Sequence, residues 1–278
     1  MSFIVFNGNL ISSDTPCTKY NDRGLTLGHG LFETMLFNKK SFPALDYHWS
    51  RLKTSCELIG INIPFSKKIF AEQLQQLINI NELHGRIASV RLTLTHGEAA
   101  RGILPSVDPE PNYMMSSALY NPVKKTGFSA IIARTTKNEN SISSSIKSLS
   151  YIDNVLAKKE AVVQGADEAI MLNSRGFLAD GAIHNIFCVK NGTIYTPSLS
   201  DGALPGVVRE IILRGLKHDY NIIEKSISKI DAYDADEVFL TNALTGIQSV
   251  FQLDQKKYHT DKCALAFSKM LVEQKDYI

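Results

Sequence analysis

The alternation of hydrophobic and polar residues predicts β-sheet at the start of the chain and again around residues 185–196. Two stretches of β-branched and aromatic residues each surround an Asn-Gly dipeptide, which favours the tight turn of a two-residue hairpin. The predicted hairpins pair Phe3–Phe6 with Leu10–Ser12 and Asn185–Lys190 with Thr193–Thr196.

Apolar residues three and four positions apart predict amphipathic helices elsewhere. These helices are Tyr47–Leu58, Ile69–Ile80, Tyr151–Gln164, Gly206–His218 and Ala264–Gln274. Residues 102–112 contain three prolines and one glycine that interrupt regular structure, and Asn121-Pro122 follows the next strand-like stretch. Because 278 residues exceed what one hydrophobic core usually contains, we predict two α/β domains, residues 1–120 and 121–278.

The composition argues against nucleic-acid and membrane partners. The chain has thirty basic and 28 acidic residues, and neither the positive nor the negative charges form a long run. No apolar stretch approaches membrane-spanning length, and the first residues do not resemble a secretion signal. The cysteines at 17, 56, 188 and 263 form no close pair, which argues against a zinc cluster or a disulfide framework. We therefore expect a cytoplasmic protein that binds a small molecule and no metal.

Two loops have the residue types of ligand-binding turns. The segment Leu204–Arg209 contains Pro205 and Gly206 where a loop becomes a helix, so main-chain N–H groups there are suited to an anion. A second loop-to-helix transition is predicted at Thr241–Gly246, directly after a strand-like stretch. From the residues alone, an ordinary helix start and a capped turn remain open as the simpler readings.

A family resemblance adds what these patterns do not contain. The segment Ile146–Ala157 resembles the lysine-bearing region of class IV aminotransferases, and Asp22–Thr34 is similar to the amino-terminal signature of that family. His48-Trp-Ser-Arg-Leu and several later segments follow in the same order, so the resemblance covers nearly the whole chain. The family contains the fold type IV pyridoxal-phosphate enzymes, among them D-amino-acid aminotransferases and 4-amino-4-deoxychorismate lyases.

The resemblance implies a D-amino-acid aminotransferase-like fold, with pyridoxal phosphate bound covalently to Lys147 in the larger carboxy-terminal domain. Lys147 then also acts as the general base on the substrate. Asp180 occupies the position at which most relatives place a glutamate against the pyridine nitrogen. Tyr151 either contacts the ring oxygen or simply begins a helix. The phosphate-binding residues implied are Arg51, Gly206, Val207, Val208, Ala243 and Leu244.

The resemblance also implies a binding site for an amino substrate and a homodimeric enzyme. The residues implied for substrate binding are Phe32, His96, Arg101 and Asn242. His96 stands where relatives often have arginine, which makes Arg101 the better candidate for binding a carboxylate. The Asn242 turn is similar to the lyase branch, which forms 4-aminobenzoate and pyruvate. A branched-chain or D-amino-acid aminotransferase remains the alternative, and a non-enzymatic cofactor-binding protein remains possible on the same fold.

Overall fold

A computed structural model describes residues 2–106, 108–122, 125–216 and 219–273, which divide into two compact units. The first unit ends at Asn121 but also contains Lys147–Ser150. The second contains Pro122–Ile146 and the chain from Tyr151 onward. Residues 217, 218 and 274, at the ends of two predicted helices, lie outside the described part of the chain.

The first unit is built on a five-stranded antiparallel sheet in the order β2-β1-β5-β4-β3. Its strands are β1 (Phe3–Phe6), β2 (Asn9–Ser12), β3 (Gly30–Asn38), β4 (Ile87–Thr95) and β5 (Asn112–Leu119). Its helices are α1 (Arg23–Leu27), α2 (Leu45–Ile59) and α3 (Lys67–Ile80). The first predicted hairpin and the first two predicted helices are therefore confirmed.

The core of the first unit forms where helices α2 and α3 pack against the sheet. Helix α3 begins after Ser66, whose hydroxyl accepts the main-chain N–H of Ile69, and it buries Leu74 and Leu77 completely. An aromatic contact extends this core, because the rings of Phe65 and Tyr113 lie 4.5 Å apart. The buried faces of the helices thus hold β3 and β4 in fixed positions.

The second unit contains a nine-stranded mixed sheet in the order β11-β10-β9-β12-β13-β6-β7-β8, with β14 beside β13. Its strands are β6 (Phe128–Ile132), β7 (Glu168–Leu172), β8 (Leu178–Gly181), β9 (Asn185–Lys190), β10 (Thr193–Thr196), β11 (Ile222–Glu224), β12 (Glu237–Asn242), β13 (Gly246–Leu253) and β14 (Lys256–Lys257). Its helices are α4 (Ile142–Ser145), α5 (Ile152–Val163), α6 (Val207–Gly215), α7 (Lys229–Asp234) and α8 (Lys262–Glu273), and a short 3-10 helix covers Leu199–Asp201.

The central strands β9 and β12 hold the core of the second unit together. Phe187 and Phe239 stack in parallel with ring centroids 4.9 Å apart, and Phe267 from α8 meets Phe239 edge-on. The second predicted hairpin is confirmed by the pairing of β9 with β10. Within the part of the chain that the structure describes, no helix has the length and apolar character needed to cross a membrane.

The segment Thr241–Gly246 corrects one prediction, because it leads into a strand and not into a helix. Asn242 pairs with Gly246, so β12 and β13 form an antiparallel hairpin. Gly246 adopts φ +66°, a conformation that glycine takes without a steric cost and that ends the turn. The residues after it alternate and pair with β12, and this pairing overrides the local similarity to a helix start.

The placement of Lys147 corrects a second prediction, which assigned this residue to the carboxy-terminal domain. Lys147–Ser150 groups with the first unit, because Phe32 N–H donates to Lys147 O and Leu149 N–H donates to Gly30 O, both at 2.9 Å. The segment therefore pairs with the beginning of β3. Sequence distance does not reveal such a pairing, since more than a hundred residues separate the partners.

Candidate functional site

Two groups of residues, one in each unit, carry the predicted chemistry. In the first unit, the pairing with β3 leaves Lys147 Nζ 4.3 Å from the centroid of the Phe32 ring. Arg91 Cζ lies 3.9 Å from the same centroid, so two cations contact one aromatic ring. Phe32 is 5% exposed and Lys147 is half-buried. The predicted cofactor lysine is thus held at an aromatic surface.

Gly30 explains part of the amino-terminal signature. A Cβ at this position would come within 2.5 Å of Leu94 O and 2.7 Å of Leu149 Cδ1. Contacts this short are not tolerated, so only glycine lets the 147–150 segment approach β3 closely. The glycine therefore determines where Lys147 lies, although it contributes no chemical group.

Behind this surface lies a buried cluster of Glu33, His48 and Arg51. Glu33 accepts hydrogen bonds from Arg51 Nε at 2.8 Å and from Arg51 Nη2 at 2.6 Å, and His48 Nδ1 lies 2.7 Å from Oε2, the oxygen that also accepts from Arg51 Nη2. Burial alone would raise the pKa of Glu33, but the charge of Arg51 and the bonds from His48 and Arg51 outweigh burial and lower the pKa to about 2. Arg51, the predicted phosphate ligand, is therefore oriented by a buried carboxylate.

His48 completes this cluster as a neutral partner. Its pKa is lowered, mainly by burial and partly by the positive charges of Arg51 and Lys147, although hydrogen bonding to Glu33 opposes the shift. A neutral imidazole can donate one hydrogen bond to Glu33 without adding another cation beside Lys147. The cluster thus carries one strong ion pair and one neutral hydrogen bond.

We expect Arg51→Ala to lower the free energy of unfolding by about 3–5 kcal/mol, because it leaves the buried Glu33 carboxylate without its cation. Arg51→Lys keeps the charge but loses the two-pronged geometry, so its loss should be smaller. Urea unfolding of the cofactor-free proteins measures both values. A loss below about 1 kcal/mol for Arg51→Ala, the size typical of exposed ion pairs, would contradict this account.

The same cluster gives the prediction a pH signature. The pKa of Glu33 falls from its ordinary 4.5 to about 2 on folding, so its contribution to stability is complete above pH 4.5 and is lost as the pH falls towards 2. The unfolding free energy of the Arg51→Ala protein should therefore decrease less steeply than that of the wild type in this interval. Equal slopes would assign the acid sensitivity to other groups.

The loop after β4 contains two residues predicted to bind substrate, His96 and Arg101, and their surroundings differ. His96 is 2% exposed, and its ring stacks on His29 with centroids 4.4 Å apart. Burial, with the nearby His29 and Arg23, lowers the pKa of His96, so it is neutral at physiological pH. Arg101 is exposed. The binding of a substrate carboxylate by Arg101 stays a prediction.

In the second unit, Asp180 is the centre of a buried polar network. Its carboxylate accepts hydrogen bonds from Lys137 Nζ at 3.1 Å, from Asn185 Nδ2 at 2.7 Å and from the main-chain N–H of Leu204 at 2.5 Å. Burial raises the pKa of Asp180, against the opposing effects of Lys137, Leu204 and Asn185. Asp180 thus organises the loop that precedes α6 in addition to any contact with a ligand.

Gly206 stands at the start of helix α6 and has no side-chain cap. Val207 and Val208 form the first helical turn, where main-chain N–H groups have no partners within the helix. A Cβ on Gly206 would lie 1.7 Å from Asn185 Oδ1, so glycine is required here by the Asn185 side chain. The binding of an anion at this helix end stays a prediction.

The turn after β12 contains residues predicted to bind ligands, Asn242 for the substrate and Ala243 and Leu244 for the phosphate. Asn242 Oδ1 accepts the main-chain N–H groups of Leu244 at 2.9 Å and Thr245 at 2.7 Å, and also the Thr245 hydroxyl at 2.9 Å. The N–H of Leu244, predicted to bind phosphate, is therefore already engaged by Asn242 in this structure. Ala243 lies within the same turn, and Thr241 Oγ1 is buried without a hydrogen-bond partner among the described residues.

Tyr151 lies at the amino-terminal end of helix α5, as one of its two predicted roles requires. Its hydroxyl makes a long hydrogen bond of 3.5 Å to Ala182 O. Since Ala182 belongs to the loop after β8, this contact ties the start of α5 to the Asp180 segment. The predicted contact with the ring oxygen of a cofactor stays a prediction.

Several buried polar residues at these positions were not predicted from the sequence. Glu168 and His184 form a buried ion pair, and His184 Nε2 lies 3.3 Å from Thr245 Oγ1. Burial alone would raise the pKa of Glu168, but the hydrogen bond with His184 and the nearby charges of His184 and Lys158 outweigh burial and lower the pKa. Glu168 begins the otherwise apolar strand β7 and His184 directly precedes the mainly apolar strand β9, and these polar residues are the local signal for the pair. Among the described residues, no cluster of three or more histidine, cysteine or acidic side chains could hold a metal ion.

Comparisons with known proteins show which family the chain resembles. A sequence model of the family described as amino-transferase class IV matches residues 30–253. The chain is 30% identical over 258 residues to a D-alanine aminotransferase from Bacillus licheniformis, covering 90% of this chain and 88% of that protein. It is 28% identical over 280 residues to an aminodeoxychorismate lyase from Bacillus subtilis, covering 98% and 94% of the two chains.

A solved structure extends the similarity to the fold. The branched-chain amino acid aminotransferase of Escherichia coli superimposes with a TM-score of 0.91 at 22% identity, covering 98% of this chain and 94% of the other. At this identity the match concerns the fold alone. The relatives thus share an architecture while their names describe different reactions.

Proposed function

Because the chain belongs to the class IV aminotransferase family, whose members depend on pyridoxal phosphate, we propose that it is a 4-amino-4-deoxychorismate lyase. In this reaction a proton leaves the carbon that bears the amine, the bond to the enolpyruvyl oxygen breaks, and 4-aminobenzoate and pyruvate are released. The general assignment to a pyridoxal-phosphate enzyme follows from the family. The choice of reaction is the proposal.

Each unit contains residues whose chemistry suits pyridoxal phosphate. Lys147 provides the amine for covalent attachment, and the Arg51 guanidinium suits a phosphate because its charge is permanent. In the second unit, the uncapped helix start at Gly206 and the unpartnered hydroxyl of Thr241 are polar groups that a phosphate would satisfy. Asp180 is the buried carboxylate that would face the ring nitrogen, although both of its oxygens already accept hydrogen bonds from Lys137, Leu204 and Asn185.

The cofactor supplies an electron sink for the charge that develops at the substrate carbon. Lys147 removes the proton from that carbon and returns a proton to the departing three-carbon group. The Asp180 carboxylate would hold the ring nitrogen of the bound cofactor and would favour its protonated form, which would strengthen the sink. Phe32 covers the amine of Lys147 and limits its contact with water, which suits a base that must exchange one proton with substrate.

The observation that supports the lyase is the state of His96. An aminotransferase binds substrates with a carboxylate on the carbon that bears the amine, and a cation near that carbon suits this group. His96, where relatives often have arginine, is buried, neutral and stacked on His29. In aminodeoxychorismate the amine-bearing carbon carries no carboxylate, and the more distant carboxylates are left to Arg101.

A D-amino-acid aminotransferase is the second candidate, because the 30% identical relative from Bacillus licheniformis has that activity in its name. Product identity distinguishes the two. We expect single-turnover reactions with aminodeoxychorismate to give 4-aminobenzoate and pyruvate in equal amounts, as measured by fluorescence and by a coupled lactate dehydrogenase assay. Keto-acid release from D- or L-amino acids, with no 4-aminobenzoate formed, would overturn the lyase assignment and leave the cofactor assignment intact.

We also propose a cytoplasmic homodimer. Each unit exposes large apolar side chains that a second copy would cover. In the first unit these are Leu25, Ile103 and Leu104, and in the second unit Ile152, Val155 and Val162 of helix α5. All four cysteines are unpaired, which suits a reducing compartment.

A further inference from the structure

The loop that carries Arg101 is attached to the first unit through its main chain. Arg23 Nη2 donates to Ile103 O at 2.7 Å, and Arg23 Nη1 donates to Gly102 O at 3.2 Å and Leu104 O at 3.3 Å. One guanidinium thus binds three successive carbonyls. Since Ile103 is 76% and Leu104 81% exposed in the single chain, the first unit holds the loop through main-chain hydrogen bonds and not by burying these two side chains.

A second attachment lies on the other side of Arg101. Arg23 N–H donates to Gly97 O at 2.9 Å, and Ala99 N–H donates to Asn21 O at 3.2 Å. Arg101 therefore stands between two points at which the loop is fixed to residues 21–23. Because Arg101 itself is exposed, its position depends on these main-chain attachments.

His29 determines the orientation of the Arg23 side chain. Arg23 Nε donates to His29 Nδ1 at 3.2 Å, and a guanidinium has only donors, so Nδ1 must be unprotonated. His29 Nε2 lies 2.9 Å from Ile59 O, which only accepts, so this nitrogen carries the proton. His29 is thus a neutral imidazole with both nitrogens engaged, and His96 stacks on its face.

Arg23 is 5% exposed, and its side chain donates to main-chain carbonyls and to His29 but to no carboxylate of the described residues. Desolvating a guanidinium costs free energy, which the carbonyls and His29 offset through charge-assisted hydrogen bonds. An apolar side chain would fill this space at less cost. The arrangement is therefore better explained by a requirement to fix the loop than by stability alone.

We propose that Arg23 is a positioning residue that holds Arg101 in place for a substrate carboxylate, and that His29 fixes Arg23 for this purpose. The role of Arg101 rests on the proposed function, whereas the attachment of the loop by Arg23 does not. The two statements can therefore fail separately.

Arg23→Lys tests the proposal, because lysine keeps the charge but has no planar fork to bind three carbonyls and His29 together. We expect the KM for aminodeoxychorismate to rise about tenfold, the factor typical of one lost hydrogen bond to a charged group, with kcat within about twofold. Hydrogen exchange of the cofactor-free protein should become faster in the peptide covering residues 99–106. Lys19→Ala, which removes only the exposed ion pair with Glu98 in the same region, should change neither quantity.

His29 provides a second test that does not depend on the folding of Arg23→Lys. His29→Gln can still accept from Arg23 and donate to Ile59, so it should resemble the wild type, whereas His29→Leu should reproduce the rise in KM and the faster exchange. Equal behaviour of the two variants would overturn the role of His29.

Combining Arg23→Lys with Arg101→Ala separates the possible failures. If Arg23 acts through Arg101, Arg23→Lys should raise KM in the wild type but should not raise it further in the Arg101→Ala protein. Independent effects in the double variant, or unchanged exchange in residues 99–106, would overturn the positioning role. If Arg101→Ala alone leaves KM unchanged, the assignment of Arg101 to the substrate carboxylate fails, and with it the purpose proposed for Arg23.

Discussion

Lys147→Ala is expected to reduce turnover by about a hundredfold to ten-thousandfold, the range attributed to a positioned general acid–base group. The variant loses both the covalent attachment of the cofactor and the base that moves the substrate proton. Turnover with cofactor in excess measures the effect. The fold should survive, because the segment pairs with β3 through the main-chain groups of Lys147 and Leu149, which alanine retains.

Covalent attachment gives a direct control for this prediction. Borohydride treatment of the wild type should attach the cofactor permanently to the peptide that contains Lys147, and no attachment should be found in Lys147→Ala. Lys159→Ala removes an exposed lysine of helix α5 and should behave like the wild type. Attachment at another lysine, or normal turnover in Lys147→Ala, would remove the central assignment.

Asp180→Asn is expected to lower both turnover and stability. An amide cannot stabilise a protonated ring nitrogen as a carboxylate does, so we expect turnover to fall by about 10- to 100-fold, equivalent to roughly 1.4–2.8 kcal/mol of transition-state stabilisation. Lys137, which is 8% exposed, would lose its anionic partner. Removing one member of a buried ion pair costs about 3–5 kcal/mol, and this loss appears in urea unfolding of the cofactor-free protein.

Two further variants separate the two roles of Asp180. Adding Lys137→Met to Asp180→Asn removes the unpaired charge, so stability should recover while turnover should stay low. Asp180→Glu keeps the negative charge and introduces the longer side chain expected from the family. Its turnover therefore shows whether side-chain length matters in addition to charge. If Asp180→Asn retains full turnover with cofactor saturated, Asp180 is a structural residue only.

Local patterns were sufficient to predict the regular elements. The Asn-Gly dipeptides led directly to the hairpins β1–β2 and β9–β10, because a two-residue turn is determined by its own residues. The helical periodicity located α2, α3, α5, α6 and α8 within a few residues at each end. The family resemblance, confirmed by the match over residues 30–253, then identified the class of enzyme and its cofactor.

The pairings between distant residues were beyond the reach of local patterns. Lys137 and Asp180 are 43 positions apart, and Arg23 lies about 80 positions from the carbonyls that it binds. No periodicity within a window of ten or twenty residues records such a contact. The error at Thr241–Gly246 has the opposite origin, because its local residues suit both a helix start and a turn, and only the pairing with β13 decides between them.

The assignment of Lys147–Ser150 to the first unit has a consequence for synthesis on the ribosome. When residues up to Asn121 have emerged, the Phe32 N–H and the Gly30 carbonyl at the edge of β3 still lack the partners that they have in the finished protein. Unpaired strand edges are sites of aggregation. The first unit is therefore closed only after the nascent chain has passed residue 150, and a fragment that ends at Asn121 would retain that open edge.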